Sequence, residues 1–280
     1  QNKLLKSSFK LGLRVELKKA LKLFHKDIKN KNKTVNVLNE NYNFNFDKNQ
    51  LKKFLNYKTI VLIGMGGSIL GAEAIYNFLE RKIKKKFYFI DNLDSKKIDQ
   101  LKKQEKINKT LFLIISKSGN TIETITNLIY LKIIKKKSKN IIIISEKKDS
   151  FLFRLSKKYK LFFIEHKRFI GGRYSVLSEV GIVPAFLMGL NINKLKFNFQ
   201  SFFKSKNKKF LQDSTIKLAN LLKQKKYTNI IFLNYSPKLK KFLYWCQQLI
   251  AESLGKNNKG LLPIISNMPK DNHSVMQLYL

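Results

Sequence analysis

Two turns rich in glycine and hydroxyl side chains, GMGGS at residues 64–68 and SKSGNT at 116–121, carry the first chemistry legible in this chain. Each follows an apolar run of strand length and opens a run of helical character. Each therefore offers free backbone N–H groups and the positive end of a helix dipole. Gly66 and Gly67 let the backbone approach a ligand closely, and Ser68 adds a hydroxyl. Ser116, Ser118 and Thr121 cluster three hydroxyls around Gly119. Such groups suit a phosphate dianion. Further along, Arg173 in GGRYS, Glu252 in AESLGK and His273 in DNHS bring a fixed cation, a carboxylate and an imidazole in polar settings.

Each segment alone also has a plain structural reading. GMGGS can be a tight turn without a ligand; its glycines at 64, 66, 67 and 71 do not match the GxGxxG spacing of dinucleotide sites. Ser and Thr make good helix N-caps. Arg173 can pair with Glu179 at a helix end, Glu252 can face solvent near Gly255, and His273 can belong to a cap region. Two such turns on neighbouring strands favour a ligand, because open α/β sheets bind ligands at the carboxyl ends of their strands.

The elements that must position these residues follow from apolar patterning. TIVLIG, KFYFID, TLFLIIS, KNIIIIS and KLFFIEH are near-continuous apolar runs of strand length separated by helical stretches. That pattern predicts a doubly wound parallel sheet of the α/β class, covered by helices on both faces. VELKKALKLFHKDI reads as an amphipathic helix, and NVLNENYNFNFD as a connecting or short edge segment. A lysine-rich stretch, FFKSKNKKFLQDS, precedes a second strand, TNIIFLNYS, and a helix around LKKFLYWCQQLIAESLG. The expected organisation is an N-terminal segment over residues 1–57, a complete α/β domain over 58–205, and the start of a similar one over 206–280. The first residue is not Met and SVMQLYL stops within a helix-like pattern, so a chain incomplete at both ends is expected.

Composition narrows the classes. The chain has 280 residues, of which 44% are hydrophobic and 12% aromatic, enough for a substantial core. No apolar run approaches the roughly 20 residues of a membrane span, and the segment QNKLLKSSFK shows neither the apolar stretch nor the cleavage site of a signal peptide. The single cysteine, Cys246, excludes an internal disulfide and fits a reducing, cytoplasmic setting. His25, His166 and His273 are scattered, without metal-ligand spacing. The net charge of +39 is almost entirely lysine, spread through solvent-facing runs such as KIKKKF and LKQKKYTN. Readers of nucleic acids recruit arginine for bidentate contacts. The charge therefore reads as compositional bias, with no specific nucleic-acid partner expected, although a positive field speeds capture of anionic substrates.

At SKSGNTIET, taken with GMGGS, the chain resembles the sugar-isomerase (SIS) fold, whose domains hold phosphosugars on a Ser/Thr loop. IGGRYSVLSEVG resembles the signature of the glucose-6-phosphate isomerase (phosphoglucose isomerase) family, and QQLIAESLGK and DNHS resemble two further segments of it. The resemblance runs from about Lys58 to Leu280. It implies that Ser68, Ser116, Ser118 and Thr121 contact the sugar phosphate, with Gly67 and Lys117 contributing backbone. It makes Gln248 a substrate contact and Arg173 the residue that steadies charge on the reacting oxygens. Glu252 becomes the base between C1 and C2, and His273 the ring-opening group, given in this family by the neighbouring subunit of a homodimer. The family also uses a lysine on a helix near its C-terminus, to which nothing here is assigned.

The implied reaction interconverts glucose 6-phosphate and fructose 6-phosphate through an enediol, a step of glycolysis and gluconeogenesis, and asks for the same residue types. A carboxylate can remove and return a carbon-bound proton, a positioned base contributing roughly 10²–10⁴-fold. A fixed Arg stabilises the enediolate, and His supplies acid–base chemistry near neutrality. No metal or cofactor is required. Two alternatives stay open: a bifunctional phosphoglucose/phosphomannose isomerase, which the SGNT loop permits, and a non-catalytic phosphosugar-sensing SIS domain, which would not need Arg173, Glu252 and His273 together.

Overall fold

The computed structural model describes residues 7–136, 138–196, 207–224, 227–257 and 259–279. The first six residues, the 202–206 part of the lysine-rich stretch and Lys225–Lys226 lie outside them. The strands are β1 (Thr59–Ile63), β2 (Lys86–Ile90), β3 (Thr110–Ile115), β4 (Ile141–Ser145), β5 (Phe162–Glu165), β6 (Asn229–Asn234) and β7 (Leu262–Asn267). The helices are α1 (Ser7–Lys29), α2 (Lys48–Lys52), α3 (Leu70–Leu79), α4 (Ser95–Gln104), α5 (Ile122–Leu131), α6 (Phe151–Tyr159), α7 (Glu179–Leu187), α8 (Ile192–Lys196), α9 (Asn207–Gln224), α10 (Lys240–Leu254) and α11 (Met276–Tyr279). The chain divides into two compact units. One holds Asn43–Leu195 and Lys238–Trp245; the other holds Gln1–Tyr42, Lys196–Pro237 and Cys246–Leu280.

The first unit is built on a five-stranded parallel sheet in the order β2-β1-β3-β4-β5. Alternation along each strand splits the core. Ile60, Leu62, Leu111, Leu113, Ile115, Ile142 and Ile144 pack on one face with Ala72 of α3 and Val180, Val183 and Leu187 of α7. Val61, Ile63, Phe112, Ile114, Ile141 and Ile143 pack on the other with Ile98 and Leu101 of α4, Leu128 and Leu131 of α5, and Leu152 of α6. Both faces are covered, which is why β1, β3 and β4 read as unbroken apolar runs. The expected doubly wound α/β architecture is what the structure has. Strand order reverses between β1 and β3, so the crevice at their carboxyl ends is the topological switch point of the sheet.

The second unit contains a parallel pair, β6 with β7, in register from Asn229↔Leu262 to Asn234↔Asn267. Helix α10 lies between them in sequence, as a parallel crossover requires. Gln247 Nε2 donates to the Pro263 carbonyl at 2.8 Å, tying α10 to β7. Strand β7 is absent from the apolar runs that the sequence marks as strands, because Pro263 interrupts its pattern and removes a backbone donor. The amphipathic α1 packs in this unit with α9, where Lys223 Nζ meets Glu16 at 3.1 Å. NVLNENYNFNFD is a connecting segment that begins in a short 3₁₀ turn (Thr34–Leu38) and forms no strand.

Candidate functional site

The switch point sets the two hydroxyl-bearing turns at the ends of adjacent strands and packs the first of them against GGRYS. The first turn leaves β1, with Gly64 N donating to Ile90 O at 3.2 Å, and coils through a 3₁₀ turn at Gly66–Ser68 into α3. Gly66 has φ +52, a conformation that favours glycine. Gly67 lies against the Gly172–Arg173 peptide: a β-carbon on Gly67 would stand 2.2 Å from the Gly172 carbonyl carbon and 2.6 Å from Arg173 N. Ser175 Oγ locks the pair, lying 2.6 Å from Gly172 O and 3.2 Å from Gly67 O. Arg173 therefore starts from a backbone pressed onto the first turn. Its guanidinium lies over the Tyr174 ring, 4.6 Å from the centroid.

The second turn leaves β3 and enters α5. Ser116 and Thr121 hydroxyls are 2.7 Å apart, Ser118 Oγ is 3.5 Å from Ser116 Oγ, and Gly119 N donates to Ser116 Oγ at 3.1 Å. Gly119 adopts φ +71, and a β-carbon there would meet Ser150 Oγ at 2.3 Å and Ser145 Oγ at 2.8 Å. The N-terminus of α6 grips this turn from behind: Phe151 N donates to Asn120 Oδ1 at 2.8 Å and Leu152 N to Gly119 O at 3.1 Å. Ser145 Oγ and Thr124 Oγ1 beside it are buried, with no hydrogen-bond partner among the described residues. The three hydroxyls that the sequence singles out thus share one rigid turn.

Lys117, read as a backbone contributor, also enters an ion cluster that sequence reasoning missed. Its ammonium is 3.7 Å from Glu146 Oε1, while Lys148 Nζ takes Glu146 Oε2 at 2.8 Å. Glu146 follows β4 directly, but nothing in its local sequence marks it. His166, at the end of β5, is buried, and its Nδ1 lies 3.0 Å from the Lys167 carbonyl. A carbonyl only accepts, so Nδ1 carries the proton of the neutral ring. Burial pushes the His166 pKa down to about 4, and the nearby Lys117 charge acts in the same direction.

In the other unit, Gln248 and Glu252 stand one turn apart on α10, and Gln248 Nε2 donates to Glu252 Oε1 at 2.7 Å. Gln248 Oε1 is buried with no hydrogen-bond partner among the described residues, and Glu252 is exposed. His273 ends the 3₁₀ turn Lys270–His273 and is exposed. Asp271 fixes that turn to the carboxyl end of β7, accepting from Asn267 N at 2.7 Å and Ser266 Oγ at 2.9 Å. Asp271 stands in the DNHS segment, yet only the fold reveals what it does. Among the described residues no group of His, Cys, Asp and Glu could hold a metal, and no helix is long and apolar enough to cross a membrane.

This arrangement, hydroxyl turns at the switch point of a parallel sheet, is that of the sugar-isomerase fold. A hypothetical protein from Thermus thermophilus superposes with a TM-score of 0.72 at 24% identity, covering 98% of this chain and 71% of the other. A glucose-6-phosphate isomerase from Chlamydia trachomatis superposes with a TM-score of 0.64 at 23% identity, covering 81% of this chain and 49% of the other. In sequence, residues 27–261 match the phosphoglucose isomerase family. The glucose-6-phosphate isomerase of Methanocaldococcus jannaschii is 36% identical over 247 residues, 85% of this chain and 60% of that protein. The chain belongs to the phosphoglucose isomerase family. It spans about three fifths of the length of the curated relatives it matches.

Proposed function

We propose that the protein interconverts glucose 6-phosphate and fructose 6-phosphate through an enediolate. The observation that carries this reading is the close packing of Gly67 on Arg173 beside a turn holding three hydroxyls, within a chain of this family. In this reading the hydroxyls of Ser68, Ser116, Ser118 and Thr121, with the backbone at Gly67 and Lys117, take the phosphate. A phosphate there gains charge-assisted hydrogen bonds from groups already in place, so little ordering is lost on binding.

Glu252 acts as the base. It removes the proton from C2 of glucose 6-phosphate, leaving an enediolate, and returns it to C1 while the O2 hydroxyl proton passes to O1; the reverse reaction runs the same steps backwards. Gln248, donating to Glu252 Oε1, orients the carboxylate and contacts the sugar. Arg173 balances the negative charge on the reacting oxygens. His273 opens the sugar ring, supplied across a homodimer to the neighbouring copy. A cytoplasmic place suits this chemistry and the lone cysteine.

The steeper demand of catalysis over sensing favours the enzyme reading. A sensor of phosphosugars gains nothing from an arginine clamped at the switch point. Assaying fructose 6-phosphate conversion tests it, with mannose 6-phosphate as a second substrate to score the bifunctional variant. Binding of sugar phosphates without turnover would instead mark a sensing domain.

A further inference from the structure

Trp245 is the chain's single tryptophan, and it stands one helical turn before Gln248 on α10. Its indole Nε1–H donates to the carbonyl oxygen of Arg173 at 2.8 Å. An indole can only donate, so the bond runs in one direction and has no alternative polarity. We propose that Trp245 is a positioning residue for Arg173, holding the peptide from which the guanidinium projects. The proposal rests on the isomerase reading above and adds to it a residue outside the family motifs quoted from the sequence.

The Arg173 peptide is held from two sides. On its amino side the Gly67 backbone leaves no room for movement toward the first turn. On its carbonyl side the indole fixes the direction of the 3₁₀ turn Gly172–Leu177. Trp245 is itself fixed. Phe242 meets it edge to face, with ring centroids 5.8 Å apart and planes at 70°. Both rings border an apolar cleft of about 330 Å³ with Gly71, Ala74, Phe78 and Val176. Gly71 allows that closeness, since a β-carbon there would fall 2.7 Å from Val176 Cβ.

An ion pair anchors the same segment. Lys241 Nζ lies 2.6 Å from Glu73 Oε1 on α3, and Glu73 is only 7% exposed. Lys238–Trp245 accordingly belongs with the sheet unit although most of α10 does not. The ion pair and the apolar contacts hold this short strap in place, and the indole transfers that rigidity to Arg173. An arginine that must meet charge arising only in the transition state gains rate from such fixing, because small misplacements near a reacting centre are costly.

The test uses the whole active isomerase. Trp245→Phe keeps an aromatic body in the cleft and deletes the N–H. We expect kcat for fructose 6-phosphate to fall about tenfold while KM changes less than about twofold, the pattern of an interaction realised in the transition state. The thermal midpoint should stay within a few degrees. Unchanged kcat, or a loss that follows only the folded fraction, overturns the proposal. Should the substitution prevent folding, the emission of the 280-residue chain, in which Trp245 is the single tryptophan, provides a second readout. Its emission in the unmutated protein should shift on saturation with fructose 6-phosphate, and a constant spectrum overturns the proposal. The two readings fail separately. An active protein whose Trp245→Phe variant keeps its kcat defeats only the positioning role, whereas an unmutated protein without isomerase activity defeats both.

Discussion

Gly67 touches the backbone of Arg173 so closely that an added β-carbon would stand 2.6 Å from the Arg173 nitrogen. The first turn and the GGRYS segment are thus one packed unit, and a side chain at residue 67 must push Arg173 away. Gly67→Ala is expected to lower kcat/KM at least 100-fold. Overpacking of this kind costs about 1–3 kcal/mol, which corresponds to a fall in Tm of roughly 3–10 °C for a domain of this size. Calorimetry and steady-state kinetics on one sample separate the two effects; full activity with an unchanged Tm would show that the contact is slack.

Ser118 and Thr121 should act through binding. Each hydroxyl offers a phosphate a hydrogen bond to a charged group, worth about 1.5–3 kcal/mol. Ser118→Ala and Thr121→Val are therefore each expected to raise KM for fructose 6-phosphate by about 10–100-fold, with kcat within a few-fold of normal. Thr121→Val also removes the 2.7 Å contact to Ser116, so the two substitutions together should be less than additive if the turn loosens. A fall in kcat at constant KM would place these hydroxyls elsewhere.

Arg173→Lys keeps the charge and loses the planar fork. An ammonium can neither stack on Tyr174 as a guanidinium does nor present paired donors. The expected result is a fall in kcat of about 100-fold with near-normal sugar-phosphate binding, read by titration calorimetry and initial rates. Near-normal kcat would remove Arg173 from the reacting oxygens.

His166 sets an acid limit on stability. Its pKa of about 4 in the fold lies below the usual 6.5, so the unfolded chain binds the extra proton first. The neutral form's contribution is fully present above pH 6.5 and is lost as pH falls from about 6.5 toward 4. The difference corresponds to about 3 kcal/mol across that window. Urea unfolding at a series of pH values should show stability falling over this range, and the slope should flatten in His166→Gln. An identical slope in both proteins would contradict the assignment.

Much of the sheet unit was legible because its strands are covered on both faces. TIVLI, TLFLII and IIIIS carry almost nothing but large apolar residues, and no other element of that length tolerates such a run. Both hydroxyl turns were legible because their glycine and hydroxyl residues break off the apolar runs at the strand ends. Strand β7 was hidden by Pro263, whose carbonyl still serves as an acceptor for Gln247. Glu146, Trp245 and Asp271 escaped notice for a different reason: their partners are Lys117, Arg173 and the end of β7, chosen by folding and not by spacing. Local sequence marks the glycine and hydroxyl turns; it does not mark the residues that hold them.

Proton transfer at carbon is the most direct test, because it isolates Glu252 from every binding effect. In D₂O, fructose 6-phosphate incubated with the unmutated protein should become glucose 6-phosphate carrying deuterium at C2, followed by proton NMR. Glu252→Gln should bind the sugar phosphate with an affinity within a few-fold of normal, yet lose both isomerisation and deuterium incorporation by about 10⁴-fold. Deuterium entering at an undiminished rate in Glu252→Gln would contradict the role of this carboxylate and, with it, the mechanism.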